Sequence, residues 1–191
     1  MLPLLLLTNL LFNGSLEDLN GDGRPDGWEA AFPEVRMMVG VKGEAVECQL
    51  DTGRYWRLLR SRPFPVRVGQ KFVVSIWLKG EKVKGVHVKF HLFDAEGRRI
   101  YPYGLLSSPL SVEGWALSAG WGAFHRALPR VTKSGSWDWE RWEGIFEVED
   151  GRAKFARLKV WAERKGGRFW ADEARVEEFK EPTERAPHFP G

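Results

Sequence analysis

Three stretches of this chain alternate apolar and other residues with a period of two, and that pattern constrains the fold more than any other feature. In "KFVVSIWLKG", Phe72, Val74, Ile76 and Leu78 fall on one side, and Val73, Ser75, Trp77 and Lys79 on the other. In "GVHVKFHLFDAEG", Val86, Val88, Phe90 and Leu92 oppose His87, Lys89, His91 and Phe93. In "AKFARLKVWAE", Ala156, Leu158 and Val160 oppose Arg157, Lys159 and Trp161. Successive strand side chains point to opposite faces, so each stretch reads as a strand with one face in a core and one wet face. Turn signals separate the runs: "VGQK", "KGEKVKG", "DAEGRR", "EDGRAK" and "RKGGR". No stretch keeps helical periodicity for ten residues with caps at both ends. Short strands punctuated by Gly and Asp turns predict an all-β antiparallel sandwich.

The 191 residues suit one domain, and 43% hydrophobic residues can fill its core. We expect a single domain over 1–180 and a proline-rich tail over 181–191, "KEPTERAPHFPG" closing the chain. Residues 98–141 are rich in Gly, Pro, Ser and Trp with weak alternation, and read as a long Trp-rich insertion. Some of its Tyr101, Tyr103, Trp115, Trp121, Trp137 and Trp139 must form a small core of their own, and the rest can cover a sheet face or a partner. The opening "MLPLLLLTNLLFNGS" has no basic residue before its apolar run and no small-residue cleavage site. It is a poor signal peptide, too short to span a membrane, and is expected to run straight into the first strand.

Net charge is +3, from 29 basic and 26 acidic residues, which demands no nucleic-acid partner. Cys48 is the one cysteine, so no intrachain disulfide forms, and it reads as a small hydrophobe. Arg outnumbers Lys by 18 to 11, with few Cys and Met, a composition that points to a thermophile source.

"DLNGDGRPDGWE", residues 18 to 29, carries the densest chemistry. Counting Asp18 as position one, Asn20 is third, Asp22 fifth, Gly23 sixth, Arg24 seventh, Asp26 ninth and Glu29 twelfth. This matches the calcium-loop template: side-chain oxygens two residues apart converge on one point, Gly permits the sharp turn, and Arg24 supplies a carbonyl. The usual helices on either side are missing, since the segment before looks like a strand and Pro33 breaks the one after. The alternative is a solvated Asn/Asp/Gly turn.

Three segments carry a resemblance. "NLLFNGSLEDLNGDGRPDGWE" resembles the opening of carbohydrate-binding modules with the galactose-binding-like jelly-roll. "VRVGQKFVVSIWLKG" is similar to the strand after that family's Pro-Gly-Lys turn, and "WERWEGIFEVEDGRAKFARLKVWAERKGGRFWADEARVEEF" to its closing stretch. The resemblance covers residues 8 to 179, with 98–141 unmatched. It implies a jelly-roll sandwich, a structural Ca2+ tying the N-terminal region to the last strand, and sugar binding on a concave sheet face or loop rim. Asp172 matches the acidic position of the last strand and would touch the ion. Trp28 and Trp139 match positions that are structural.

The residues themselves suggest where a ligand would sit. Trp77, Trp161, His87, Lys89 and His91 lie on non-core strand faces, and sugars need aromatic faces for their C–H patches and polar groups for their hydroxyls. The plainer reading of each Trp is that the insertion covers it. A catalytic reading finds no G-x-S-x-G, H-E-x-x-H or phosphate-cradling motif. His87 and His91 would stand about 13 Å apart along a strand, too far to chelate one ion, and His125 with Tyr101 is the remaining catalytic candidate. The chain therefore reads as non-enzymatic. One reading is a calcium-stabilised carbohydrate-binding module that meets a polysaccharide or cell-envelope glycan. The other is a phage-like virion structural or adhesion protein that uses the same fold and assembles through its insertion, as a homo-oligomer or with a virion partner. Either places the chain outside a cell or on a virion surface.

Overall fold

The computed structural model describes residues 8–30, 35–50, 58–106, 133–162 and 166–179. Among them are ten strands and no helix: β1 (Trp28–Ala30), β2 (Val35–Val39), β3 (Glu44–Gln49), β4 (Leu58–Ser61), β5 (Phe64–Pro65), β6 (Lys71–Phe93), β7 (Arg99–Leu106), β8 (Lys133–Glu147), β9 (Phe155–Ala162) and β10 (Arg168–Glu178). All pairings are antiparallel, and the architecture is the expected β-sandwich.

β6 organises both sheets. Its first half lies between β10 and β8, and β3 and β2 extend that sheet beyond β10. Its second half pairs with β9 and β7, and β4 and β1 extend this second sheet beyond β9. The turn expected at "KGEKVKG" is therefore a bend inside one 23-residue strand. Lys82 (φ 52°) and Gly85 (φ 67°) adopt left-handed conformations there, and the register with β8 slips three times between Leu78 and Val86. Bulges of this kind bend and twist a strand enough to carry it from one sheet to the next.

The two halves of β6 face each other across the core. Phe72, Val74, Ile76 and Leu78 from the first half and Val86, Val88, Phe90 and Leu92 from the second are all buried, as the alternation predicts. The Phe90 ring sits 4.3 Å from Phe146, 5.6 Å from Phe64 and 6.0 Å from Phe72, which clamps both sheets around one aromatic cluster. Cys48 is wholly buried, and burial together with the Glu47 carboxylate pushes its thiol pKa far up, so it serves as a core hydrophobe. Trp28 is buried, with its indole N–H donating to the Asn13 carbonyl at 2.9 Å, and Trp139 is half-buried.

Two expectations need correction. The two ends of the 98–141 segment are regular strand, β7 and the first part of β8 both pairing with β6. Its larger middle part, 107–132, lies outside the described residues, and with it Trp115, Trp121 and His125; the side chains of 101–106 and the tail from 180 lie outside as well. The described part of the N-terminal segment, from residue 8, does not run straight into a strand. Residues 8–16 form turns laid along β10, where Leu10 N–H donates to the Val176 carbonyl and Ala174 N–H to the Gly14 carbonyl. A Cβ on Gly14 would run into the Asn9 amide and the Ala174 carbonyl, so only glycine allows this close approach. Leu11 and Leu16 anchor residues 8–16 in the core.

Candidate functional site

The outer face of the second sheet concentrates positive charge. The pairing aligns Glu29 on β1, Arg60 on β4, Lys159 on β9 and Lys89 on β6 directly opposite one another across four strands. Lys159 thus has a cation opposite it on either side, an arrangement that costs stability. Burial, then Arg60, Arg99 and Arg157, lower its pKa to about 8, with Glu29 opposing them. One step along the strands, Arg157 lies opposite His91, and beyond it Phe155 lies opposite Phe93. Glu29 answers part of the charge: its carboxylate pairs with Arg60 and accepts from Arg157 Nη1 at 2.8 Å. Desolvation works against its ionisation, but the two guanidiniums win and hold Glu29 below the usual carboxylate range.

A cleft of about 410 Å³ opens on this face, lined by Glu29, Arg60, Pro63, Phe93, Gly97, Phe155, Arg157 and Lys159. Phe155 is 40% exposed at its edge, a large aromatic that the core does not claim. Farther along β9, Trp161 is half-buried, with the Lys89 ammonium 3.8 Å from its ring centroid and the His87 ring at 6.1 Å. From Phe155 to Trp161 the strand spans about 20 Å.

The structure divides the sequence-derived ligand residues. His87, Lys89, His91 and Trp161 share this face. Trp77 lies on the outer face of the other sheet, between Arg141 of β8 and Asp172 of β10, so the two tryptophans cannot line one site. The face is also drier than alternation alone suggests. His87, Lys89 and His91 are buried, because the neighbouring rings pack over their stems. Burial and the charges of Lys159, Arg99 and Lys89 push the His91 pKa down to about 3, so the ring is neutral at ordinary pH. The alternation places Phe93 in one stretch, and Arg157 and Lys159 in another, on outward faces; it does not single out Phe155. Arg60 and the part played by Glu29 are not visible in it, since their strands are too short to show a period.

The acidic loop forms a compact, exposed knot. Asp18 accepts from Gly21 N–H at 2.7 Å, Asp22 N–H at 3.1 Å and Gly23 N–H at 2.7 Å. Asp26 accepts from Leu19 and Asn20 N–H, and the Asn20 amide reaches Asp22 and Asp26. Desolvation opposes it, but these N–H groups hold the Asp18 pKa low. Asn13 closes the base of the knot, donating to the Glu17 carbonyl at 2.6 Å and the Asp26 carbonyl at 3.0 Å.

Two expected metal ligands are employed elsewhere. Glu29 leaves the loop on β1 and faces the guanidiniums of the second sheet. Asp172 is fully buried and accepts from the N–H groups of Val41, Lys42 and Glu173, fixing the β2–β3 turn; burial outweighs those bonds and raises its pKa. Among the described residues, no three His, Cys, Asp or Glu side chains come together as a metal-holding group. The oxygen chemistry of Asp18, Asn20, Asp22 and Asp26 suits calcium, and only these with the Arg24 carbonyl remain as a donor set.

The sequence matches no protein-family model and no curated protein sequence. Solved structures do match. A xylan-binding family 22 module from Paenibacillus barcinonensis aligns with 92% of this chain and 97% of its own, at TM-score 0.54 and 11% identity. A family 61 carbohydrate-binding module in complex with beta-1,4-galactotriose aligns with 90% and 99%, at TM-score 0.51 and 15% identity. The chain has the β-sandwich fold of carbohydrate-binding modules. The same sandwich occurs in the enzymatically active domain of bacteriophage CBA120 tailspike protein 4, at TM-score 0.62 and 10% identity; there this chain covers 21% of the longer one. Identities this low carry the fold and nothing finer. Among the described residues no helix is long and apolar enough to cross a membrane.

Proposed function

We propose that this chain is a non-catalytic carbohydrate-binding module that meets polysaccharide on the outer face of its second sheet. The observation that carries the reading is the open cleft lined by exposed Phe155 together with Arg60, Arg157 and Lys159. Sugar rings stack C–H patches on aromatic faces and offer hydroxyls to fixed donors, and a face combining both needs no catalytic group. The fold supports the reading, since modules of this architecture account for nearly their whole length in the alignments.

Calcium enters as part of the same proposal, in a reduced form. Asp18, Asn20, Asp22, Asp26 and the Arg24 carbonyl would hold the ion, and its contribution would be to stiffen the loop that precedes β1. No step of ligand binding depends on it.

The tailspike likeness favours a second reading, a virion adhesion or structural protein built on this sandwich. The readings separate in one experiment. Binding of the monomeric protein to a glycan array, lost in Trp161→Ala, supports the module. A closed oligomer with no glycan affinity supports the virion part and overturns the module.

A further inference from the structure

Resting on the carbohydrate reading, we propose that the second-sheet face selects glycans bearing carboxylate groups, of the uronic-acid type, with Arg60, Arg157 and Lys159 receiving the charge.

The argument begins from where charge is balanced and where it is not. On the outer face of the first sheet and its rim, basic groups have an acid beside them: Lys79 with Asp138, Arg141 with Glu143, Arg168 with Glu81 and Arg175 with Glu173. The second face departs from this pattern. Among the described residues, Arg60 and Arg157 share the one carboxylate lining the cleft, that of Glu29, and Lys159, directly opposite Arg60, has no acid paired with it. Like charges held opposite each other destabilise a sheet, and a fold retains them at a cost that a bound anion would remove.

Glu29 indicates the shape of that anion. Its carboxylate already lies between the Arg60 and Arg157 guanidiniums, the planar fork geometry that arginine offers to carboxylates. With one carboxylate shared between two guanidiniums, Lys159 in the cleft lining stays unbalanced, and burial among cations lowers its pKa to about 8. Phe93 and Phe155, opposite each other across β6 and β9, add the apolar surface that a sugar ring needs and a simple inorganic anion does not. A neutral glycan would use the rings and leave Lys159 without a counter-charge.

The test is titration calorimetry of the whole chain with polygalacturonate and with the same polymer fully methyl-esterified, at low ionic strength. The expected result is binding to the charged polymer, weakened about tenfold or more by esterification and to a similar degree by Lys159→Met. Removing Lys159 relieves repulsion, so that variant should melt no lower than the parent, and melting curves confirm that a lost signal is not unfolding. Arg157→Gln, read in the same way, is the second variant. Equal affinity for both polymers overturns the acidic-glycan proposal and leaves the carbohydrate reading standing. Binding to no glycan on a broad array overturns both. Undiminished polygalacturonate binding by both variants overturns the site assignment, and tighter binding to a single-stranded oligonucleotide overturns the glycan selectivity.

Discussion

The side-chain amide of Asn9 grips the last strand at both of its backbone polarities: its Oδ1 accepts from Val176 N–H at 2.9 Å, and its Nδ2 donates to the Ala174 carbonyl at 3.0 Å. Residues 9–14 are thereby fastened to β10 by amide hydrogen bonds. Asn9→Ala leaves two strand groups and the Leu11 N–H unmet, at a cost of about 2 kcal/mol. For a domain of this size that lowers the melting midpoint by about 4–8 °C, measurable by circular dichroism. An unchanged midpoint would mean that the N-terminal segment is not part of the folded unit.

Acid should weaken the fold through His91. Its folded pKa of about 3 lies below the unfolded value, so below pH 6.5 the unfolded chain binds the proton that the folded chain refuses. Stability from this group is complete above pH 6.5 and is lost as pH falls towards 3, a span on the order of a few kcal/mol. His91→Leu removes the titration, so its denaturation midpoint should fall less than the parent's between neutral pH and mild acid. Parallel pH profiles for the two proteins would contradict this.

Lys159 carries the opposite expectation for substitution. With Arg60 and Lys89 directly opposite it, Lys159→Met should stabilise the free protein at neutral pH, by up to about 1 kcal/mol. Its folded pKa of about 8 lies below the ordinary lysine value. The unfolded chain therefore holds the proton longer, and the parent should gain stability as pH rises above 8, a gain absent from the variant. Chemical denaturation at two pH values checks both statements.

Calcium has its own signature. An ion bound only by the folded loop, supplied at a hundredfold excess over its dissociation constant, adds about 2.7 kcal/mol and raises the midpoint accordingly. Asp18→Ala should abolish the rise, whereas Glu29→Gln should preserve it, because Glu29 belongs to the guanidinium pair. Superimposable melts in chelator and in calcium would remove the ion from the account.

The sandwich was legible because β6 and β9 keep strict alternation, and a face of valines, leucines and phenylalanines at every second position has no other use. β8 was obscured by its own irregularity. Its register slips at three places beside β6, and Gly135, at φ 103°, interrupts the pattern. In β7, Pro102 disguises a strand that pairs on one side. Glu29 matched a metal template by counting, but β1 is extended, and extension swings position twelve away from the loop towards Arg60 and Arg157. The cationic row could not be read from the sequence at all, since Arg60 and Lys159 are 99 positions apart in sequence and meet only through strand register.

The claim that glycan binds on the second sheet is tested most directly by affinity electrophoresis of Phe155→Ala, Trp161→Ala and Trp77→Ala through gels containing polysaccharide that retards the parent. The account predicts that retardation is lost or strongly reduced for Phe155→Ala and Trp161→Ala and is unchanged for Trp77→Ala, which lies on the other face. Loss confined to Trp77→Ala would contradict it.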